Sequence, residues 1–371
     1  MDDAIRHRGD AYVLSIWEDS PSFYRIENKD GKVWLMPVRR LRTAMHLYQP
    51  SGRNGKLLKR WFPLLHRLPL LKQKLHIETT RCSLAEDLYD KLCKLFNRDR
   101  LEFAVFCGTP CVHQKLTIQL SSGDNILGYC KVSDSKEVAE LFSRESNILG
   151  KLYKAGVHNV PKIMYVGEWR NGVYMLVQTT RKTDRSQVIH DWGHLHDGFL
   201  RDMAVKTKQR LVFEETDYYK ILNELSMHLD WLPSDEGREL VRGVLEKVLN
   251  KNKHKMVEYG AYHADFTPWN TFVEQGELFV FDWEYAQMTY PPMLDRYHFF
   301  TQTAMFEKHW YSDEIMAYVE SAEGDWIDKT EYQFYLLDII ARFTLRERGH
   351  FSGDVAHSIN VWTETLKRLE E

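Results

Sequence analysis

At 371 residues, 43% apolar and 28% charged, the chain is long enough to bury a sizeable core and has the composition of an ordinary globular protein. A net charge of -3 excludes the strongly basic balance of a general nucleic-acid binder, so nucleic acid is not an expected partner. No run approaches the roughly 20 apolar residues that span a bilayer, and the acidic start Met1-Asp2-Asp3, with no apolar core after it, does not read as a secretory signal.

Residues 1 to about 95 stand apart in pattern, as an N-terminal extension whose fold the sequence leaves open. Ala11–Ile16, Ser22–Ile26 and Val33–Met36 read as short strands. From Arg39 to Lys74 there are ten Lys or Arg and no Asp or Glu, interleaved with Leu57, Leu58, Trp61, Phe62, Leu64 and Leu65. Such a basic amphipathic stretch suits a peripheral membrane or other anionic contact, against the plainer reading of a solvated surface packed on the next domain. Cys82, Cys93, Cys107, Cys111 and Cys130 make an odd count without zinc spacing, which reads as reduced thiols in a cytoplasmic protein.

Leu84, Leu88, Leu92 and Leu95 give helical spacing over 84–97. Three strand-like runs follow, Leu101–Phe106, Gln114–Leu120 and Ile126–Val132. Cys107-Gly108-Thr109-Pro110, between the first two, is a loop that could cover phosphates with backbone N–H groups, although it holds a single glycine and no G-x-G-x-x-G. Lys131 sits near the end of the third run. The helix after it carries a stripe at Val138, Leu141, Phe142, Ile148, Leu149 and Leu152, and Glu145 interrupts that stripe. A carboxylate on a buried face needs a cation, and Lys131 is the expected one. Lys162–Glu168 and Val173–Gln178 complete five strands with one helix after the third, and polar residues 179–186 read as a hinge.

Beyond it the chain reads as mainly helical, over Tyr218–Trp231, Asp235–Asn250 and the aromatic-rich tail. His190, His194 and His196, with Asp191 and Asp197, form a candidate transition-metal cluster of no recognised zinc spacing. The most chemical stretch is His263-Ala264-Asp265 through Asn270, followed by Thr271–Val273, a turn at Gly276, Leu278–Phe281 and then Asp282. A hairpin here brings Asn270 and Asp282 to one end, so that oxygen ligands of the kind Mg²⁺ takes converge.

His263-Ala264-Asp265 with Asn270, then Phe281-Asp282-Trp283-Glu284, resembles the aminoglycoside phosphotransferase and choline kinase-like family, in order with Lys131 and Glu145 over about residues 100–300. Ala264 stands where that family usually has glycine. The resemblance implies an α+β, bilobal protein-kinase-like fold: a β-rich N-lobe over 96–180, a helical C-lobe over 181–371, and the extension 1–95 outside it. It implies ATP and Mg²⁺ as cofactors. Asp265 would take the acceptor hydroxyl's proton, Asn270 and Asp282 would ligate Mg²⁺, Lys131 braced by Glu145 would contact phosphates, and Gly108 would lie in the phosphate loop. His263 and Asp295 would support the catalytic loop. The acceptor, a small molecule or a glycan, is left open, with the basic stretch favouring a sugar or glycan over a cationic antibiotic or choline. Oligomeric state is also left open. Two other readings stand beside this one. They are a kinase-like binding or scaffold protein without turnover, and a metal-dependent hydrolase built on His263, Asp265, Asp282 and the His190 cluster.

Overall fold

The computed structural model describes residues 13–15, 20–28, 31–50, 53–69, 73, 75, 77–109 and 113–371. Of the strand expected at Ala11–Ile16, residues 13–15 are described, and Leu14–Ser15 pairs antiparallel with Ser83–Leu84. Lys72 and Lys74 of the basic stretch and Pro110 and Cys111 lie outside the described residues. The chain divides into two compact units, the first comprising Met1–Lys154, His158–Val188 and Phe272–Glu284, the second the remainder.

The first unit is built on one antiparallel sheet. Its strands are β1 (Ser22–Glu27), β2 (Val33–Pro37), β3 (Glu78–Arg81), β4 (Glu102–Phe106), β5 (Leu116–Ser122), β6 (Asn125–Ser133), β7 (Ile163–Arg170) and β8 (Val173–Thr179). The spatial order is β3-β1-β2-β4-β5-β6-β8-β7. Helices α1 (Arg53–Leu65), α2 (Glu86–Phe96) and α3 (Lys136–Lys154) accompany it. The five strands and inserted helix expected over 101–178 are β4 to β8 and α3. The N-terminal strands extend the same sheet through Trp34↔Phe106 and Leu35↔Val105, with the Trp34 and Phe106 rings stacked at 5.0 Å.

Period-two alternation decides what each face of this sheet carries. Phe103 and Val105 point into a core with Leu88 and Leu92 of α2 and with Ile118, Cys130, Val132 and Met175. Ala104 and Phe106 point the other way, against Trp34, Met36, Leu41, Tyr48 and Phe62. Leu176 of β8 meets Val138 and Phe142 of α3. Of the cysteines, Cys82, Cys93, Cys107 and Cys130 are buried free thiols.

The chain then continues through α4 (His194–Thr207), β9 (Gln209–Val212), α5 (Asp217–Met227), α6 (Asp235–Asn252) and β10 (Met256–Tyr262). The hairpin strands β11 (Thr271–Glu274) and β12 (Glu277–Val280) come next, then β13 (Gln287–Tyr290), α7 (Leu294–Phe306), α8 (Ser312–Val319), α9 (Lys329–Glu347) and α10 (Gly353–Glu370). Thr216, Ser234 and Asp328 cap α5, α6 and α9 by accepting the N–H three residues on. The helix expected over Tyr218–Trp231 is in fact two pieces. His228 leaves the helical region at φ -129, and Leu229–Trp231 forms a separate 3₁₀ turn. The second unit also holds a three-stranded sheet, β9-β10-β13, that helical periodicity did not announce. Its core gathers Leu222, Leu225, Val241, Leu245, Leu336, Ile340 and Trp362.

Gly128 of β6 packs closely on β8, where a Cβ would stand 2.1 Å from the Gln178 carbonyl oxygen and 2.8 Å from the Phe96 ring. Backbone cannot yield as a flexible side chain does, so Gly128→Ala is expected to cost about 1–3 kcal/mol. Urea denaturation checks this, and an unchanged midpoint would contradict so close a contact.

Candidate functional site

In the first unit the chemistry centres on β6. Cys130 and Val132 face the core, so alternation turns Lys131 to the opposite face, where it pairs across the sheet with Thr117 and Leu176. Glu145 lies in the buried stripe of α3 with Val138, Phe142, Leu149 and Leu152, and is itself fully buried. The Lys131 Nζ donates to Glu145 Oε2 at 2.9 Å, to Glu145 Oε1 at 3.1 Å and to Asp282 Oδ1 at 2.7 Å. Those three bonds use all three ammonium protons. Burial opposes the charge on Lys131, but the Asp282 and Glu145 carboxylates outweigh it and hold the ammonium well above its ordinary range. Burial likewise draws the Glu145 carboxyl upward, against Lys131, whose two N–H bonds keep both its oxygens acting as acceptors.

Asp282 follows β12 with a left-handed backbone, φ 67. The turn is fastened by the fully buried Trp283, whose indole N–H donates to the Val280 carbonyl at 3.0 Å. The hairpin before it reverses at Gln275 and Gly276, both at positive φ (53 and 81), the signature of a two-residue type I′ connection. Phe272 and Phe279 stack across it at 5.0 Å.

Two further charged residues complete the group, and sequence reasoning gave them no such role. Lys115 forms an ion pair with Glu284. Burial opposes its charge, while Glu284 and Asp282 prevail and raise it above the usual lysine range. Glu284, to which the resemblance gave a structural role, joins Glu145 and Asp282 in a cluster whose carboxylate oxygens lie within 4.8 Å of one another. Three carboxylates and two ammonium groups leave a net charge of -1. Oxygen ligands at this spacing fit a hard divalent cation, and no other such group occurs among the described residues. Gly108 acts one step back. At φ 82, its α-carbon approaches the Lys115 backbone so closely that a Cβ would stand 2.5 Å from the Lys115 oxygen. The Gln114 side chain closes the same loop onto the Cys107 carbonyl at 2.9 Å. A glycine at this point therefore lets the loop deliver Lys115 to Glu284.

The second unit holds the other expected residues. Strand β10 ends at Tyr262, and the N–H groups of His263 and Ala264 donate to Asp295 Oδ2 and Oδ1 at 2.8 and 3.0 Å. Ala264 is left-handed at φ 69, a conformation that costs a residue with a Cβ about 1–2 kcal/mol. The Asp295 carboxylate, fixed on the first turn of α7, holds it there. The Asp265 N–H donates to His263 Nδ1 at 3.2 Å. Asp265 is then held at both oxygens, Oδ2 by Asn270 Nδ2 at 2.7 Å and Oδ1 by His298 Nε2 at 3.2 Å. Tyr335 OH lies 3.4 Å from His298 Nδ1. Burial, reinforced by Arg342, pushes His298 well below the usual histidine range, so it is neutral. The consistent tautomer accepts from Tyr335 at Nδ1 and donates from Nε2 to Asp265. His298 is the residue sequence reasoning passed over. Its position one helical turn after Asp295 was the available signal.

The His190 cluster does not assemble as a metal site. His190 pairs with Glu307 at 2.6 Å, His196 is buried beside Trp192 and Phe299, and Asp197 pairs with Arg201.

No family model matches the sequence, and no curated protein matches it. Solved structures do resemble the fold. Two are thermostable variants of aminoglycoside phosphotransferase APH(4)-Ia in ternary complex with AMP-PNP and hygromycin B. One, at 14% identity and TM-score 0.51, covers 77% of this chain and 99% of its own. The other, at 13% identity and TM-score 0.50, covers 76% and 99%. A choline kinase from Streptococcus pneumoniae, at 17% identity and TM-score 0.43, covers 76% and 97%. The fold is thus the α+β, protein-kinase-like one expected, shared with a small-molecule kinase.

Burial pushes the Asp295 carboxyl up to about 7, against the two N–H donors that pull it down. An unfolded aspartate ionises near about 3.9. The folded group therefore keeps its proton longer, so its contribution to stability is full below about pH 4 and is lost as pH rises toward 7. In urea melts at about pH 5 and about pH 8, the stability of wild type minus that of Asp295→Asn should be larger at the lower pH. A difference that is equal, or larger at the higher pH, would contradict the raised value.

Proposed function

We propose that the protein is an ATP- and Mg²⁺-dependent phosphotransferase that moves a γ-phosphoryl group to a hydroxyl of a small-molecule or glycan-type acceptor. The observation that carries this is the buried Lys131, with its three protons shared by Glu145 and Asp282, on a fold found in a small-molecule kinase. A lysine braced so firmly by a fully buried carboxylate is pre-aimed, and its other acceptor is replaceable. When nucleotide binds, Lys131 keeps Glu145 and exchanges Asp282 for phosphate oxygens, which frees Asp282 to act as a metal ligand. Glu284 is the nearby carboxylate that would support it, and Asn270, in the second unit, offers an amide oxygen of the kind Mg²⁺ takes. Asp282 and Asn270 would be the residues to hold Mg²⁺, and the ion would supply positive charge to offset the charge that develops in transfer.

Asp265 is the general base in this reading. With His298 and Asn270 fixing its two oxygens, its carboxylate is oriented before substrate arrives. It accepts the acceptor's O–H proton as the new P–O bond forms and the bond from the γ-phosphorus to the bridging oxygen breaks, leaving ADP. Asp295 and His263 hold the loop through its backbone, so they are positioning residues. The basic composition of 39–74 supports a sugar or glycan acceptor over a cationic one.

An ATP-consumption screen across sugars, amines, nucleosides and lipid-linked glycans identifies the acceptor. With that acceptor, Asp265→Asn should lower kcat by about 10²–10⁴-fold while AMP-PNP affinity stays within a few-fold. Full activity in the variant would refute the base assignment. Nucleotide binding with no acceptor turned over would favour a kinase-like binding protein instead.

A further inference from the structure

Helix α1 carries an apolar stripe on the side turned away from its own unit. Leu57, Trp61 and Leu64 are 56%, 46% and 70% exposed, and Leu68, in the turn that follows, is 53% exposed. Their spacing of four, three and four residues places them along one line of a helix. This exposure does not come from loose docking. The opposite side of α1 is fixed to β1 by Phe62, 1% exposed, whose ring meets Tyr24 at 5.3 Å, and by the Tyr24 hydroxyl 3.0 Å from His66 Nδ1. A helix packed well on one face and this apolar on the other has two partners.

Charge indicates the second partner. Lys56, Arg60 and Arg67 are exposed beside the stripe, and among the described residues no carboxylate pairs with them. The Arg60 guanidinium lies over the Trp61 ring, 5.2 Å from its centroid. Between Arg39 and Lys74 there is no Asp or Glu at all. Lys59 is half-buried, and burial lowers its ammonium to about 8, so it is not counted with this surface. At 13 residues the helix is roughly 20 Å long, and no helix among the described residues is long and apolar enough to cross a membrane.

We propose that α1 is an interfacial helix that seats this protein on an anionic bilayer. Leu57, Trp61, Leu64 and Leu68 enter the boundary between headgroups and acyl chains, and Lys56, Arg60 and Arg67 meet anionic headgroups. An apolar stripe gives the adhesion and its basic margin gives the preference for anionic lipid. The inference is independent of the phosphotransferase reading and stands or falls without it.

Flotation of the full chain with phosphatidylcholine vesicles, with and without about 30% phosphatidylglycerol, tests it. Binding to the anionic vesicles should be about tenfold or more tighter than to pure phosphatidylcholine and should weaken as salt is raised. Leu57→Ser combined with Leu64→Ser, both at exposed positions, should lower binding about tenfold with an unchanged circular dichroism spectrum, and Arg60→Glu should lower it as well. No binding to anionic vesicles at low salt would overturn the proposal, as would binding indifferent to the double substitution. So would a wild-type dimer in sedimentation that the double substitution converts to monomer, because a second copy would then be what covers the stripe.

Discussion

The first unit depends on one buried charge. Glu145 sits at the centre of an apolar helix face with no exposure to water, a position where an isolated carboxylate costs several kcal/mol. It is tolerable because Lys131, from the middle of the sheet, places two N–H groups on it. That pairing fixes the face of α3 that meets β6 and the direction in which the lysine projects. It also leaves the third ammonium proton for Asp282, 151 positions away in sequence. A hydrophobic pair would hold α3 as well or better. The charge is therefore retained at a structural cost, and under the proposed function its purpose is to hold Lys131 for phosphate.

The second unit solves a related problem with backbone in place of side-chain charge. Its loop must turn sharply enough to present Asp265, and it does so through a left-handed Ala264. Asp295 offsets the strain by taking the consecutive N–H groups of His263 and Ala264 that lead into that turn. Asp265, oriented by Asn270 and a neutral His298, is held at both oxygens yet keeps 34% side-chain exposure, neither sealed off nor loose in solvent. Two devices, a buried ion pair in one unit and a clamped turn in the other, thus hold charged groups in fixed orientations.

How much of this was legible in the sequence follows from how local each signal is. Glu145 could be read because it breaks an apolar period, and Lys131 because it is the nearest strand cation to that break. The reversal at Gln275-Gly276 was marked by its glycine. The Lys115–Glu284 pair could not be read, since its partners are 169 residues apart and no periodicity marks a lysine just before a strand. The N-terminal strands were visible as strands, but nothing local showed that Trp34 would stack on Phe106 and continue the same sheet. Strands β9 and β10 were hidden in a helical neighbourhood because their pairing is long-range. The candidate site residues that could be read, such as Glu145, are ones whose type conflicts with their surroundings, and such conflicts survive in sequence where pairings do not.

Under the proposed function, Lys131, Glu145 and Asp282 form the nucleotide- and cation-binding part of the molecule. Calorimetric titration of the wild-type chain with AMP-PNP, once in Mg²⁺ and once in EDTA, tests it most directly. Binding should be saturable in Mg²⁺ and weaken at least about tenfold in EDTA, the loss expected when a cation shared by carboxylate and phosphate is withdrawn. Absence of binding in Mg²⁺, or equal affinity in both solutions, would contradict it.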